Sequence, residues 1–304
     1  MRQLRAPTLW ITGAAGFSAR HLARYLRQHK SDLKLIGIER FPARNADFDE
    51  IHKIDITDAA AIRRLARLRS PDRIFHLAAA MPPCDDADLW RINVGGTQTL
   101  FQGVAEDAKS SLRILTIGSA AEYHPLRRNL RETDRCGGES SYGRSKWAQT
   151  MIALACGREL GIDVIVARTF NLLGPGLSTI LVAGSLAAQF ASKGAIKIGD
   201  TRPARDFVDI RDAVRAYCLI CERGKPGQVY NVSTGNSTTV EKLLTLFTEA
   251  AGSNRAIHRK TVAPGHADQL RVCGDYTKLR RLGWSPSISV KQSVHDMLAH
   301  TQAQ

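Results

Sequence analysis

The sequence predicts an α/β chain: a doubly wound parallel sheet followed by a smaller C-terminal domain. Three observations carry that expectation. Short runs rich in Val, Ile and Leu alternate with amphipathic helical stretches through the first half of the chain, the pattern of a parallel sheet covered on both faces. A glycine-bearing turn, Thr12-Gly13-Ala14-Ala15-Gly16, joins the first such run to the first helical stretch. After Gly174 the alternation loosens, and Gly174-Pro175-Gly176 is a strong turn signal.

The elements follow in order. Strands are expected at 8–11, 33–38, 51–54, 73–77, 112–117 and 162–168, because each is a short apolar run bounded by polar or turn residues. Between them, 19–28, 58–68, 94–108 and 142–159 repeat apolar residues with helical spacing. A helix at 209–222 leads into a strand at 228–232. Further helices are expected at 180–192, 240–250, 276–282 and 290–300, with a loop at Pro264-Gly265. Residues 1–170, joined by about 206–232, form the expected dinucleotide-type domain, and 171–205 with 233–304 form a cap.

The 304 residues suggest about two domains and can bury a full core without disulfides or metal. A 43% hydrophobic and 24% charged composition excludes disordered, collagen-like and coiled-coil chains. No apolar run approaches the roughly 20 residues of a membrane span. The N-terminal residues carry no apolar leader core, so the expected compartment is the cytoplasm. Lys and Arg number 43 against 29 Asp and Glu, a formal net charge of +14. Such a surface suits nucleic acid, anionic lipid or an anionic small substrate. The basic residues are spread along the chain and no zinc-finger or RNA-binding signature is present, so a phosphorylated ligand is favoured and no nucleic acid or membrane partner is expected. Six cysteines in a cytosolic chain read as free thiols. Cys218-Leu219-Ile220-Cys221 lacks the second pair a zinc site needs and reads as two small apolar residues on a helix.

Two groups of residues carry chemistry. In the first turn Gly13 permits the tight bend, Gly16 permits close backbone approach, and the helix N-terminus offers N–H donors to phosphate. Ala19 replaces the third glycine, which serves helix–strand packing. The second strand ends in Glu39-Arg40. The acid can accept from ribose hydroxyls, and the base can pair with a 2′-phosphate. Asp55-Ile56 closes the third strand, where an adenine ring would lie, with Thr57 or Asp58 as a helix N-cap. The second group is Tyr142-Gly143-Arg144-Ser145-Lys146. Its Tyr and Lys, four apart, share a helix face. An ammonium near a phenol lowers the phenol's pKa and suits it to proton transfer. Ser119 ends a strand at the side of the sheet where open α/β folds hold ligands.

With these motifs the chain resembles the extended short-chain dehydrogenase/reductases that act on nucleotide sugars, which have a Rossmann-type fold. The resemblance spans nearly the whole chain. It rests on the glycine turn through Phe17, His76-Leu77-Ala78-Ala79, Asn93-Val94-Gly95-Gly96-Thr97, Ser119, Tyr142 to Lys146, Arg168-Thr169-Phe170-Asn171, Arg205-Asp206-Phe207-Val208 and Leu282-Gly283-Trp284. Within the family, Ile114-Leu115-Thr116-Ile117-Gly118-Ser119-Ala120-Ala121-Glu122-Tyr123, and Ile196-Lys197-Ile198-Gly199 running into Arg205-Asp206-Phe207, look most like the GDP-4-keto-6-deoxy-mannose reductases.

The resemblance implies Tyr142 as acid/base and Lys146 as the residue that orients the nicotinamide ribose and lowers the tyrosine pKa. Ser119 would hold the reacting C4 oxygen, and Asn171 and Arg205 the nucleotide diphosphate. It implies an NAD or NADP cofactor, with a slight lean to NAD from Glu39, held by Gly13, Ala15, Gly16, Phe17, Glu39, Arg40, Asp55, Ile56, Leu77, Ala78, Ala79, Tyr142 and Lys146. The implied reaction is hydride transfer to C4 of a nucleotide-linked 4-keto-6-deoxy sugar, GDP-linked by preference. A nucleotide-sugar 4-epimerase is the alternative. A non-catalytic dinucleotide-sensing or nucleic-acid-binding regulator is the alternative of another class. The family also implies a homodimer built on the helices at 94–108 and 142–159. Two departures stand out. His124-Pro125 follows Tyr123 where relatives carry Gly, and Ala263-Pro264 stands where many carry a phosphate-binding Arg-Pro. Arg271 or Arg202 is the expected substitute, and His124 and His266 are further residues near the expected substrate.

Overall fold

A computed structural model describes residues 6–30, 32–253, 255–260 and 271–303. His266, the loop at Pro264-Gly265 and the Ala263-Pro264 departure lie outside the described residues. In chain order the elements begin β1 (Thr8–Thr12), α1 (Phe17–His29), β2 (Lys34–Glu39), β3 (Glu50–Lys53), α2 (Ala59–Leu68), β4 (Arg73–His76) and α3 (Asp86–Asp88). A π-helical run, Leu89–Gly96, leads into α4 (Thr97–Ala105). Then come β5 (Arg113–Ser119), a 3₁₀ turn (Ala120–Glu122), α5 (Ser141–Leu160), β6 (Asp163–Thr169), β7 (Asn171–Leu173), α6 (Val182–Ala191), β8 (Ile196–Ile198) and β9 (Ala204–Asp209). The chain closes with α7 (Ile210–Arg223), β10 (Val229–Val232), β11 (Ser237–Thr239), α8 (Val240–Ala251), β12 (Ile257–Arg259), β13 (Arg271–Val272), α9 (Thr277–Arg280) and α10 (Val290–Gln302).

The main sheet has seven strands in the order β10-β6-β5-β4-β1-β2-β3. β1 pairs in parallel with both β2 and β4. The chain runs outward from β1 through β2 to β3, then crosses back to β4, so strand order reverses between β1 and β4. Such a switch point opens a crevice at the carboxyl ends of the strands. β1 is buried along its whole length, as a central strand covered on both faces must be. Trp10, Ile36, Ile38, Ile62, Leu65, Leu100 and Phe101 form the core beneath the crevice.

The expected helix at 94–108 is corrected. The chain is already helical from Asp86, because the Asp85 carboxylate accepts from Asp88 N at 2.6 Å and caps the first turn. α4 then ends at Ala105.

The chain divides into two compact units. The first comprises Met1–His124, Asp134–Arg168 and Val214–Tyr230, and the second Pro125–Thr133, Thr169–Ala213 and Asn231–Gln304. The expected boundaries shift for two reasons. β9, placed by sequence in the dinucleotide domain, pairs with β7, β11 and β13. Residues 125–133 join the second unit because Leu130 N donates to Cys273 O at 2.8 Å, and Glu132 accepts from Asn231 N at 2.9 Å. The second unit has its own core of Leu173, Leu186, Phe190, Phe207, Leu243, Phe247 and Met297. Its short strands escaped the sequence reading because three residues carry no period.

Candidate active site

The first unit holds a cleft of about 360 Å³ at the switch point. Gly13 leaves β1 in the left-handed region, at φ +70°, and its N–H donates to Ile38 O at 2.8 Å. A Cβ there would stand 3.0 Å from the Ala78 Cα, so the turn after β1 presses directly on the loop after β4. Gly16 is the N-cap of α1 and supplies no side-chain cap. The first N–H groups of the helix therefore remain at its positive end, the arrangement that receives phosphate. Ala19 is buried in the packing of α1, as its position requires.

Of the residues expected at the cofactor, Gly13, Gly16, Glu39, Arg40, Asp55, Ile56, Leu77, Ala78 and Ala79 line this cleft. Ala15, Phe17, Tyr142 and Lys146 stand outside the lining. The Ala15 N–H is engaged by Glu39 Oε2 at 3.0 Å, and the Phe17 ring packs edge-on against His21, 5.0 Å between centroids. Glu39 also accepts from Arg40 N at 2.8 Å, so its carboxylate is turned onto the glycine turn. The Arg40 guanidinium lies 4.5 Å over the Phe41 ring. Burial acts to raise the Asp55 carboxyl, but hydrogen bonds from Thr57 N and Oγ1 and the charges of Arg91 and Arg40 hold it below its ordinary value. Asp58, not Thr57, caps α2. A close-packed glycine turn, an open helix N-terminus and a cleft between the two loops fit a dinucleotide. Met81, Cys84, Asp88 and Ile92 also line the cleft and were not foreseen.

Ser119, Tyr142 and Lys146 come together at the carboxyl end of β5. Ser140 caps α5 by accepting from Gly143 N at 3.0 Å. Gly143 is packed so closely that a Cβ would fall 2.3 Å from Ala121 O, which lets the first turn of α5 seat against the turn after β5. Half-buried Tyr142 is thereby brought beside the Ser119 side chain. Burial pushes the Tyr142 phenol above its ordinary value of 10.0, outweighing the opposing influence of Ser119. This corrects the expectation that Lys146 lowers it. The buried Lys146 ammonium instead donates to Ile117 O at 2.7 Å and to Gln149 Oε1, so no positive charge is set against the phenol. Burial pulls Lys146 itself down to about 8.

Glu122 sits one residue beyond two alanines and is fully buried. Its Oε1 accepts from Ser119 N at 2.7 Å, while its Oε2 accepts from Thr150 Oγ1 at 3.0 Å and Arg168 Nε at 2.8 Å. Ser119 Oγ in turn accepts from Ala121 N at 3.2 Å, which completes a capping box. Arg168 stacks 4.5 Å over Tyr123. Sequence reasoning carried Arg168 only as part of a motif, and the capping-box spacing Ser-x-x-Glu was its one overlooked signal.

Asn171 and Arg205 belong to the second unit. Asn171 is exposed on β7, opposite Phe207 of β9, and Arg205 lies two residues earlier on β9. Both therefore stand on one ribbon. Arg271 donates to Asn129 Oδ1 at 2.6 Å and to Ser237 Oγ at 3.2 Å, both neutral groups, whereas exposed Arg202 is paired with Asp200 at 2.8 Å. Of the two expected substitutes, only Arg271 keeps its charge uncompensated by a salt bridge among the described residues. In the first unit, His124 Nδ1 lies 4.0 Å from Glu139. Burial pushes the Cys218 and Cys221 thiols up, to about 12 and about 11, which suits inert helix residues. Among the described residues no cluster of three or more His, Cys, Asp or Glu could hold a metal ion, and no helix is long and apolar enough to cross a membrane.

A sequence profile of the NAD dependent epimerase/dehydratase family matches residues 9–233. GDP-6-deoxy-D-mannose reductase of Pseudomonas aeruginosa is 29% identical over 309 residues, covering 96% of each chain. The solved structure of RMD from Pseudomonas aeruginosa complexed with NADPH is 28% identical and superposes with a TM-score of 0.86, covering 98% of this chain and 100% of that one. UDP-glucose 4-epimerase of Thermotoga maritima has the same fold, with a TM-score of 0.88 at 24% identity over 97% of this chain and 99% of that one.

Proposed function

The chain belongs to the NAD-dependent epimerase/dehydratase family, and from that premise we propose that it is an NAD(P)H-dependent reductase of a nucleotide-linked 4-keto-6-deoxy sugar, GDP-linked by preference. The single observation that carries this reading is Tyr142 set beside the Ser119 side chain, with buried Lys146 one turn along the same helix, in the same unit as the dinucleotide cleft. The bound cofactor supplies hydride to sugar C4. Ser119 holds the C4 oxygen against Tyr142. Tyr142, kept protonated by its raised pKa, donates its proton as that oxygen becomes negative. Lys146, buried one turn further along the same helix, is the residue we assign to the nicotinamide ribose. In the second unit, Asn171, Arg205 and Arg271 are the residues we assign to the nucleotide diphosphate.

We keep the slight lean to NAD(H), which rests on the Glu39 carboxylate at the end of β2, with Arg40 as the feature that admits NADP(H). A homodimer is supported by exposed Trp147 and Met151, 37% and 47% accessible and four residues apart on α5, with Trp90 at 44% on the neighbouring π-helical run. The reaction is tested by mixing the protein with GDP-4-keto-6-deoxy-mannose and NADPH or NADH. Stoichiometric cofactor oxidation with formation of a 6-deoxy sugar nucleotide is expected. Interconversion of C4 epimers without net oxidation would overturn the reductase reading in favour of an epimerase, and no turnover of any sugar nucleotide would overturn catalysis.

A further inference from the structure

The Lys146 ammonium is held by a buried relay whose donor and acceptor roles are fully determined. Lys146 is 3% exposed and Gln149 1% exposed. Gln149 lies three residues further along α5 and presents Oε1 to the ammonium. Thr97, on α4, gives its only hydroxyl hydrogen to Asn93 O at 2.6 Å. Its oxygen can then only accept, and it does so from Gln149 Nε2 at 2.9 Å and from His76 Nε2 at 2.8 Å. His76 must therefore carry its proton on Nε2. The 3.3 Å approach of Gln149 Nε2 to His76 Nε2 follows because both donate to the same oxygen. Nδ1 of His76 is left as an acceptor for the Thr12 hydroxyl at 2.8 Å, and Thr12 Oγ1 accepts from Ala78 N at 3.0 Å. The relay thus begins at the loop that lines the cofactor cleft and ends on the lysine.

This accounting allows one orientation of the Gln149 amide. Flipped, its NH₂ would face an ammonium and its oxygen would face the lone pairs of Thr97, all of them buried. An ammonium has three N–H donors. Two are spent on Ile117 O and Gln149 Oε1, so the position of Gln149 decides where the third points.

We propose that Gln149, oriented by Thr97 and His76, is the positioning residue that fixes the Lys146 ammonium and aims its remaining N–H. The inference rests on the reading of Lys146 as part of the reaction centre. The ionisable groups acting on Lys146 are His76 from β4 and Glu122 from the turn after β5, which is paired with Arg168 of β6. The helical run packed on α5 contributes the uncharged Asn93 and Thr97.

The experiment compares Gln149→Leu, Gln149→Glu and Lys146→Met with the parent protein, using GDP-4-keto-6-deoxy-mannose and NADPH or NADH across pH. Gln149→Leu removes the acceptor, so kcat should fall by about 10²-fold, the cost of a misplaced group, with KM for the sugar unchanged. The basic limb of its kcat profile should move to lower pH. Gln149→Glu keeps an acceptor and adds negative charge, so its basic limb should move to higher pH than the parent's. Opposite displacements are not produced by general loosening of the fold. If Gln149→Leu does not fold, the upward displacement in Gln149→Glu alone decides. Loss of activity in Lys146→Met with the parent's basic limb in both Gln149 variants would overturn the positioning role while leaving the site intact. Near-parent turnover in Lys146→Met would instead overturn the site reading itself, and the positioning role with it.

Discussion

His76 should make the protein progressively less stable below neutral pH, by an amount the structure lets one work out. Burial, with the Lys146 charge adding to it, pulls the imidazole down from 6.5 to about 3. In the unfolded chain the ring takes up a proton near 6.5, whereas in the folded chain it stays neutral until about 3. The unfolded state therefore binds more protons across that window. The contribution is fully present above 6.5 and is lost as pH falls toward 3. The slope is about 1.4 kcal/mol per pH unit, so going from about pH 7.5 to about pH 5 should cost about 2 kcal/mol through this group alone. Urea unfolding at those two pH values, for the parent and for His76→Asn, isolates the term as a difference of differences. Groups such as the buried Asp206 titrate in both proteins and subtract out. The variant should lose about 2 kcal/mol less on acidification than the parent. Equal losses in the two proteins would refute a neutral, network-bound His76.

Three further outcomes are expected. Tyr142→Phe should lower turnover by about 10²–10⁴-fold while leaving NAD(P)H affinity, read by fluorescence titration, close to the parent's. Glu39→Ala removes a carboxylate from the cleft, and calorimetric titration should show preference moving toward NADP(H); no movement would mean that Glu39 serves only the Ala15 and Arg40 N–H groups. Incubation with GDP-mannose and oxidised cofactor should give no 4-keto-6-deoxy product, because the residues after Ser119 offer two methyl groups and a carboxylate already committed to Arg168; efficient product formation would overturn that reading.

Much of the fold and part of the site were legible in the sequence, for physical reasons. The strands of the main sheet are buried on both faces and so read as apolar runs, and α1, α2 and α5 each bury a stripe against them. The glycine turn was legible because its steric need is local: Gly13 must adopt positive φ beside Ala78. What stayed hidden depends on contacts distant in sequence. Thr97 and Gln149 are 52 residues apart, and His76 and Gln149 are 73 apart, so no spacing rule links them. The Tyr-x-x-x-Lys spacing correctly placed Tyr142 and Lys146 on one helix face. It did not show that a carbonyl on β5 and an amide on the next turn would draw the ammonium away from the phenol.

The turn after Ser119 shows why the alanines and the acid cannot be read apart. An acid one residue beyond Ala121 has the composition of a proton-transfer group, and in an extended strand it would face away from the Ala121 side chain. The chain is not extended there, because Ala120–Glu122 closes a 3₁₀ turn. That turn folds Glu122 back beneath the Ser119 backbone rather than out toward the Tyr142 hydroxyl. A Cβ on Gly118 would come within 2.4 Å of Glu122 Oε1, and one on Gly143 within 2.3 Å of Ala121 O, so both glycines make room for the folded turn. Thr150 from α5 and Arg168 from β6 then occupy the carboxylate. Removing Arg168 from this arrangement would leave a buried charge without its ion-pair partner, a change that typically costs about 3–5 kcal/mol. The same carboxylate cannot both clamp the Ser119 turn in this way and be free to take a proton from a sugar. One of its oxygens is held by the Ser119 N–H and the other by Thr150 and Arg168.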